Sequence, residues 1–287
     1  MNSKVDRAVA SGSLRKLVSS LKGATPDAFE QAARDLYQGR TEHPKPTVEA
    51  VRTLGGDRSA SARRLAGHLL VYAYDSGPKA SLTLLTRLIR DDDRAVHDAA
   101  ATAAGRLLRK DFAALLAHIS SWRGDPSPAV RRAVLVAAGR AATAMHPEWA
   151  EPLLKLVGGL LEDTDPQVRR SLGPACLGGS LLKHYPRETF EYLMQWSTSS
   201  NPQVLWNVAM AFSGPPAADI ARKAVIILRK LALDERRYVW RAVSSAVLKL
   251  GRKCPDMIET ELSRWLEDER RVDPAREAMK HLGGSAS

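Results

Sequence analysis

Nine arginines in this 287-residue sequence are placed so that they could act together: Arg63, Arg64, Arg131, Arg132, Arg169, Arg170, Arg236, Arg237 and Arg241. A guanidinium stays charged at any physiological pH and offers planar donors that match phosphate oxygens. The chemistry this set could do is recognition of a polyanion. Trp206 and Trp240 lie among the same positions, where an indole face can stack on a base or sugar for about 1–3 kcal/mol. The bland alternatives are a solvated cationic surface for the arginines and packing for the tryptophans. Recurrence argues against the first of these.

The recurrence is a repeat. Its fullest copy is Asp163-Thr164-Asp165-Pro166-Gln167-Val168-Arg169-Arg170-Ser171, and copies centred on a small apolar residue fall at Ala62, Val96, Val130, Val168, Val204, Val239 and Ala275. The gaps are 34, 34, 38, 36, 35 and 36 residues, the period of a helix-pair solenoid. Five copies have an aspartate five residues before the centre: Asp57, Asp91, Asp125, Asp163 and Asp234. A carboxylate there belongs in the turn between two helices, accepting backbone N–H groups that open the second helix. The centre then lies in that helix's first turn. Cations at one place on successive second helices would form a stripe spaced by a helix diameter of about 10 Å, which can follow a nucleic-acid backbone.

Bulk properties agree. Lys plus Arg is 43 against 32 Asp plus Glu, a formal charge of +11 with a pI near 9.9, which points to a polyanionic partner. Two cysteines, Cys176 and Cys254, are too few for a disulfide framework, and the start Met1-Asn2-Ser3-Lys4-Val5-Asp6 has no apolar signal core. The expected setting is cytoplasmic and reducing, with no membrane partner, since no apolar run approaches the roughly 18 residues of a spanning helix.

The elements that must position the arginines follow from 3.6-residue periodicity. Residues 1–44 read as an arm and helices, with a helix opening at Thr25-Pro26-Asp27 and a proline-broken loop from Gly39 to Pro46. Residues 45–282 read as the repeat array and 283–287 as a flexible tail. First helices are predicted over Ala80–Ile89, Asp111–Trp122, Pro147–Leu161, Arg187–Trp196, Ala217–Leu233 and Pro255–Leu266, and second helices ending near Gly105, Gly139, Gly214 and Gly251. The fold class is all-α, a HEAT-like right-handed superhelix of antiparallel helix pairs.

Catalytic groupings are scarce. The seven histidines show no metal-ligand spacing, no phosphate-cradling Gly-rich loop is present, and no cofactor is implied. Trp122 with Asp125 could hold a damaged nucleotide and stabilise a sugar cation, but Asp125 is also the turn aspartate of its repeat. Trp149, Trp196 and Trp265 read as packing residues of first helices.

The run Gly173-Pro174-Ala175-Cys176-Leu177-Gly178-Gly179-Ser180-Leu181-Leu182-Lys183-His184-Tyr185-Pro186, with Tyr192-Leu193-Met194-Gln195-Trp196, resembles the AlkD-type DNA alkylation repair proteins, HEAT-like alkylpurine DNA glycosylases. So do Tyr238-Val239-Trp240-Arg241-Ala242 through Cys254-Pro255-Asp256 and Arg276 to Leu282, giving a coverage of about 160–282. The resemblance implies a C-shaped solenoid with a cationic concave face that grips duplex DNA and excises cationic alkylated purines without flipping them into a pocket. The family's aspartate and two tryptophans at the lesion fall here on Arg170, Pro166 and Ser245. Trp206 or Trp240 could substitute as an aromatic, and a one-turn slip brings Asp163 or Asp165 near. An arginine would repel a developing oxocarbenium cation, so the chain resembles family members that bind DNA without a catalytic set.

The expectation is therefore a DNA-binding protein with no catalytic residues of its own, contacting duplex, damaged or branched DNA through Arg131, Arg132, Arg169, Arg170, Trp206, Arg237, Trp240 and Arg241. Two alternatives stand beside it: an active glycosylase for cationic or bulky adducts, and a scaffold for an acidic protein.

Overall fold

The computed structural model describes Leu14, residues 16–39 and residues 46–282; residues 1–13 and 15 of the segment expected as an arm and helices, most of the Gly39–Pro46 loop and the 283–287 tail lie outside these. The described residues are helical throughout, with no strand among them. The protein is an all-α, HEAT-like helical-repeat solenoid. It divides into two compact units, Met1–Ala137 and Ala138–Ser287, and the repeat runs on in both.

In the first unit the helices are α1 (Pro26–Gln38), α2 (Val48–Gly55), α3 (Ala60–Ala73), α4 (Pro78–Ile89), α5 (Arg94–Lys110), α6 (Phe112–Ser121) and α7 (Pro128–Ala141), whose last residues fall past the division. Thr25 caps α1 by accepting the Ala28 N–H, as its position before Pro26 predicts. The second helices α3 and α5 pack on one another, and α5 is buried on nearly all sides through Val96, Ala99, Ala100, Ala103, Ala104, Leu107 and Leu108. Alanine on so many faces lets neighbouring helix axes approach closely.

In the second unit α8 (Ala150–Gly158) precedes α9 (Pro166–Arg170), which continues as a π-helical stretch, Ser171–Leu181, and a closing turn, Leu182–His184. Then follow α10 (Pro186–Trp196), α11 (Pro202–Ala211), α12 (Ala221–Leu231), α13 (Arg237–Gly251), α14 (Pro255–Leu266) and α15 (Val272–Leu282). The second helices stack in order, the π-helical stretch on α11, α11 on α13 and α13 on α15. Pro174 lies inside the π-helical stretch, where its missing N–H breaks the ordinary i to i−4 ladder. Glycines make the contact with α11 intimate. A Cβ on Gly178 would sit 2.1 Å from the Ala211 carbonyl oxygen, and one on Gly214 would sit 2.6 Å from the Gly178 carbonyl oxygen.

The repeat's internal chemistry is uniform. Each centre is buried, and in α3, α5, α7, α9, α11 and α13 it is the third residue of its helix: Ala62, Val96, Val130, Val168, Val204 and Val239. The turn aspartates act one step earlier than expected. Asp57, Asp91, Asp125, Asp163 and Asp234 each accept the N–H two residues on, at 2.7–2.9 Å, closing the turn before the helix. The helix-opening N–H groups go to the next polar residue: Asp93 takes Ala95 and Val96, Asp165 takes Gln167 and Val168, and Asn201 takes Gln203.

Some boundaries differ from expectation. The helices α5 and α7 run past Gly105 and Gly139. Gly139 serves packing instead, because a Cβ there would meet the Ser180 hydroxyl at 3.0 Å. The helix expected over Pro147–Leu161 opens as a 3-10 turn, Pro147–Trp149, and its α part ends at Gly158; that expected over Ala217–Leu233 likewise opens as a 3-10 turn, Pro215–Ile220.

Candidate nucleic-acid interface

Arg63 and Arg64, Arg131 and Arg132, and Arg169 and Arg170 occupy the two positions after their repeat centres, and their surroundings differ between the units. Arg63 donates from Nη1 to the carbonyls of Asp57 and Arg58, and from Nε and Nη2 to Asp91 at 2.6 and 2.9 Å. The bond to Asp91 raises the Arg63 pKa. Burial works against the Asp91 carboxylate, but the bonds from Arg63 and from the Asp93 N–H outweigh it and hold its pKa below the usual value. Arg131 likewise donates to the carbonyls of Asp125 and Pro126. Arg64 lies 4.2 Å over the Phe29 ring and donates to the Ala24 carbonyl, and burial lowers its pKa. Arg132 meets Asp98 at 2.6 Å and His97 Nε2 at 2.8 Å, and His97 in turn bonds the Ile89 carbonyl. All four are half-buried and engaged within the first unit.

The second unit is arranged otherwise. Arg169, at the position of Arg63 and Arg131, lies over Trp206 and Tyr238, 5.1 and 5.6 Å from the two ring centroids, and donates to the Tyr238 hydroxyl at 2.6 Å. That hydroxyl donates to Gln203 Oε1 at 2.6 Å. The Trp206 and Tyr238 rings are stacked, 6.1 Å between centroids and 17° from parallel. Burial is the largest influence on the Tyr238 phenol and raises its pKa against the opposing pull of Arg169. Arg170 is exposed and, among the described residues, donates to the Pro166 carbonyl of its own helix.

Beside the aromatic pair is an open pocket of about 500 Å³. From α11 it takes Trp206 and Met210, one turn apart. From α13 it takes Arg237, Tyr238, Arg241, Ala242 and Ser245, which helical periodicity puts on one face. Arg237 and Arg241 are exposed and form no ion pair among the described residues. The pocket's lining contains no carboxylate.

Three predicted residues, Trp206, Arg237 and Arg241, thus meet in one pocket, with Arg169 against its aromatic wall. Trp240 is half-buried and outside that lining, and Arg170 is outside it too. Tyr238 was missed by sequence reasoning, although its place one residue before Val239 beside Arg237 marked it. Of the candidate carboxylates, Asp125 also pairs with Arg90, while Asp163 closes its turn and Asp165 caps α9. Trp122 is buried edge-on to His118. Trp265 is core and donates to Glu261, and Trp149 stacks on His146 at 3.9 Å. Among the described residues no cluster of His, Cys, Asp or Glu could hold a metal, and no helix is long and apolar enough to cross a membrane.

A family model described as DNA alkylation repair enzyme matches residues 20–194, more than half of the chain. The chain belongs to that family. The matched region differs from the stretch that carries the resemblance in the sequence, overlapping it only from about 160 to 194. The match therefore takes in residues 20–137 of the first unit, while Tyr238 to Ser245 falls beyond it. No curated protein matches the sequence. Among solved structures, Kap121p is similar over 96% of this chain and 34% of that chain, with 17% identity and a TM-score of 0.51. This chain spans about a third of the Kap121p chain, and the likeness shows the fold alone. AlkD2 from Streptococcus mutans aligns over 93% of this chain and 97% of that chain with 16% identity and a TM-score of 0.34.

Proposed function

We propose that this member of the DNA alkylation repair family binds duplex DNA through the second helices of its second unit, without excising a base. The reading is carried by one observation: Arg237 and Arg241 stand exposed, with no ion pair among the described residues, beside the stacked Trp206 and Tyr238. Cations left unneutralised on a protein surface attract phosphates, and aromatic faces beside them accept sugars or bases. Arg170 adds a third exposed guanidinium. Arg131 and Arg132 hold the first unit together and stay off the DNA.

Excision of a cationic purine needs negative charge near the sugar, because positive charge builds there as the base departs. Losing one such preorganised group typically costs about 10²–10³ in rate. The pocket's lining supplies only cationic, neutral polar and apolar groups, and Asp125, Asp163 and Asp165 are bound into turns and caps. The test has two arms. Duplex DNA should bind with an affinity that falls steeply with salt and varies little with sequence. DNA carrying 7-methylguanine, 3-methyladenine or a bulky adenine adduct should yield neither free base nor heat-labile abasic sites. Clear turnover would contradict the non-excising reading, and alanine replacement of the three aspartates in turn would identify the carboxylate responsible.

A further inference from the structure

We propose that the pocket between α11 and α13 takes one unpaired nucleotide, its base against Trp206 and Tyr238 and its phosphate between Arg237 and Arg241. This rests on the DNA-binding reading above and goes beyond backbone contact to the kind of DNA preferred.

The aromatic wall is built before any ligand arrives. Trp206 and Tyr238 are nearly parallel, and the phenol is fixed from two sides, accepting from Arg169 and donating to Gln203. The Arg169 guanidinium covers both rings at 5.1 and 5.6 Å, holding them from the side of α9. Such a wall loses little freedom on binding, which leaves more of the contact energy as affinity. Stacking on it requires a base with an uncovered face. In a continuous duplex both faces of every base are covered by neighbours, so duplex DNA can offer this pocket only its backbone. An extrahelical or single-stranded base has a face to give.

Size and charge fit the same ligand. A volume of about 500 Å³ lies within the range of sites for small ligands. Arg237 and Arg241 are one helical turn apart on α13 and border the same space, so a single phosphate can meet both. Met210 and Ala242 give apolar contact and Ser245 one hydroxyl, a set that accepts any base.

The experiment uses the full chain and three DNAs of one sequence: a perfect duplex, the same duplex with one extra unpaired nucleotide, and that bulge with an abasic analogue in place of the base. The two bulges carry the same phosphates, so the difference between them isolates the base. The base-containing bulge should bind about 5- to 150-fold tighter than the abasic one, the worth of one stacked base. Trp206→Leu should erase that preference, bringing the base-containing bulge to the affinity of the abasic one, and Trp206→Phe should retain most of it. As a second readout on the unaltered protein, 2-aminopurine at the unpaired position should lose fluorescence on binding. Equal affinity for the two bulges, or a preference that survives Trp206→Leu, would overturn the proposal while leaving backbone binding intact. Failure to bind all three DNAs would overturn both.

Discussion

In the first unit Arg63 and Arg131 fold back onto the carbonyls of their own turns, whereas Arg169, at the same repeat position in the second, turns to Tyr238 and Trp206. One residue on, Arg64 and Arg132 are closed in by Phe29 and by Asp98 with His97, while Arg170 is exposed. The motif is the same and the outcome is opposite, because the surrounding repeats decide it, the next one supplying Trp206 to Arg169 and the one after that Tyr238. Where they offer an acid or a ring at the right height, the guanidinium becomes a strut. Where they offer a phenol and an indole, the guanidinium braces an aromatic wall and the cations around it stay available. A basic repeat is thus two devices, one for holding helices in register and one for presenting charge.

The largest expected effect tests whether the second device depends on the π-helical stretch that follows Arg170. Gly178→Ala would put a Cβ 2.1 Å from the Ala211 carbonyl oxygen, and neither backbone can yield cheaply. The substitution should cost about 3 kcal/mol or more, and hydrogen exchange should show α9 and α11 loosened while α3 and α5 keep their protection. Equal loss in both units would mean that the units do not respond separately.

Acid should act on the first unit next. Burial lowers the pKa of His68 to about 4. Since the unfolded side chain titrates near the ordinary 6.5, the unfolded state binds more protons between these values, and stability falls as pH drops from about 6.5 to 4. The loss is on the order of 3 kcal/mol, readable as a fall in the urea midpoint followed through exchange of the α3 amides. His68→Leu should flatten that dependence. A midpoint that stays level over this range in the unaltered protein would contradict the buried neutral imidazole.

Smaller still, Arg63→Ala removes a two-point pair with Asp91 and two carbonyl contacts from a half-buried site. It should cost about 1–3 kcal/mol of stability without altering DNA affinity measured well below the unfolding transition. Arg63→Lys should recover only part, because an ammonium cannot reproduce the planar fork.

Much of this was legible in the sequence. The repeat period, the all-α class, the second-helix starts and the buried centres follow from apolar spacing and cap residues, which act locally. That Trp206, Arg237 and Arg241 line one pocket was legible too, since Trp206 and Arg241 share a repeat position and Arg237 lies one helical turn before Arg241. What the sequence hid is the difference between Arg132 and Arg170. It is set by Asp98, 34 residues before Arg132, and no local pattern shows which carboxylate will lie opposite which arginine. The same applies to Arg169 and Tyr238, 69 residues apart. The π-helical stretch was hidden as well, because nothing local to Gly173 and Gly178 shows that α11 will lie against them.

The central claim is that exposed arginines of the second unit meet the DNA and engaged arginines of the first do not. The direct measurement is the salt dependence of duplex DNA binding for two double variants, Arg237→Ala with Arg241→Ala and Arg131→Ala with Arg132→Ala, each checked for folding by circular dichroism. Each neutralised phosphate adds about 0.9 to the slope of log affinity against log salt. The Arg237 and Arg241 pair should therefore weaken binding and flatten the slope by about one to two units, with the Arg131 and Arg132 pair keeping the slope of the unaltered protein. Flattening by the second pair and not by the first would contradict the account.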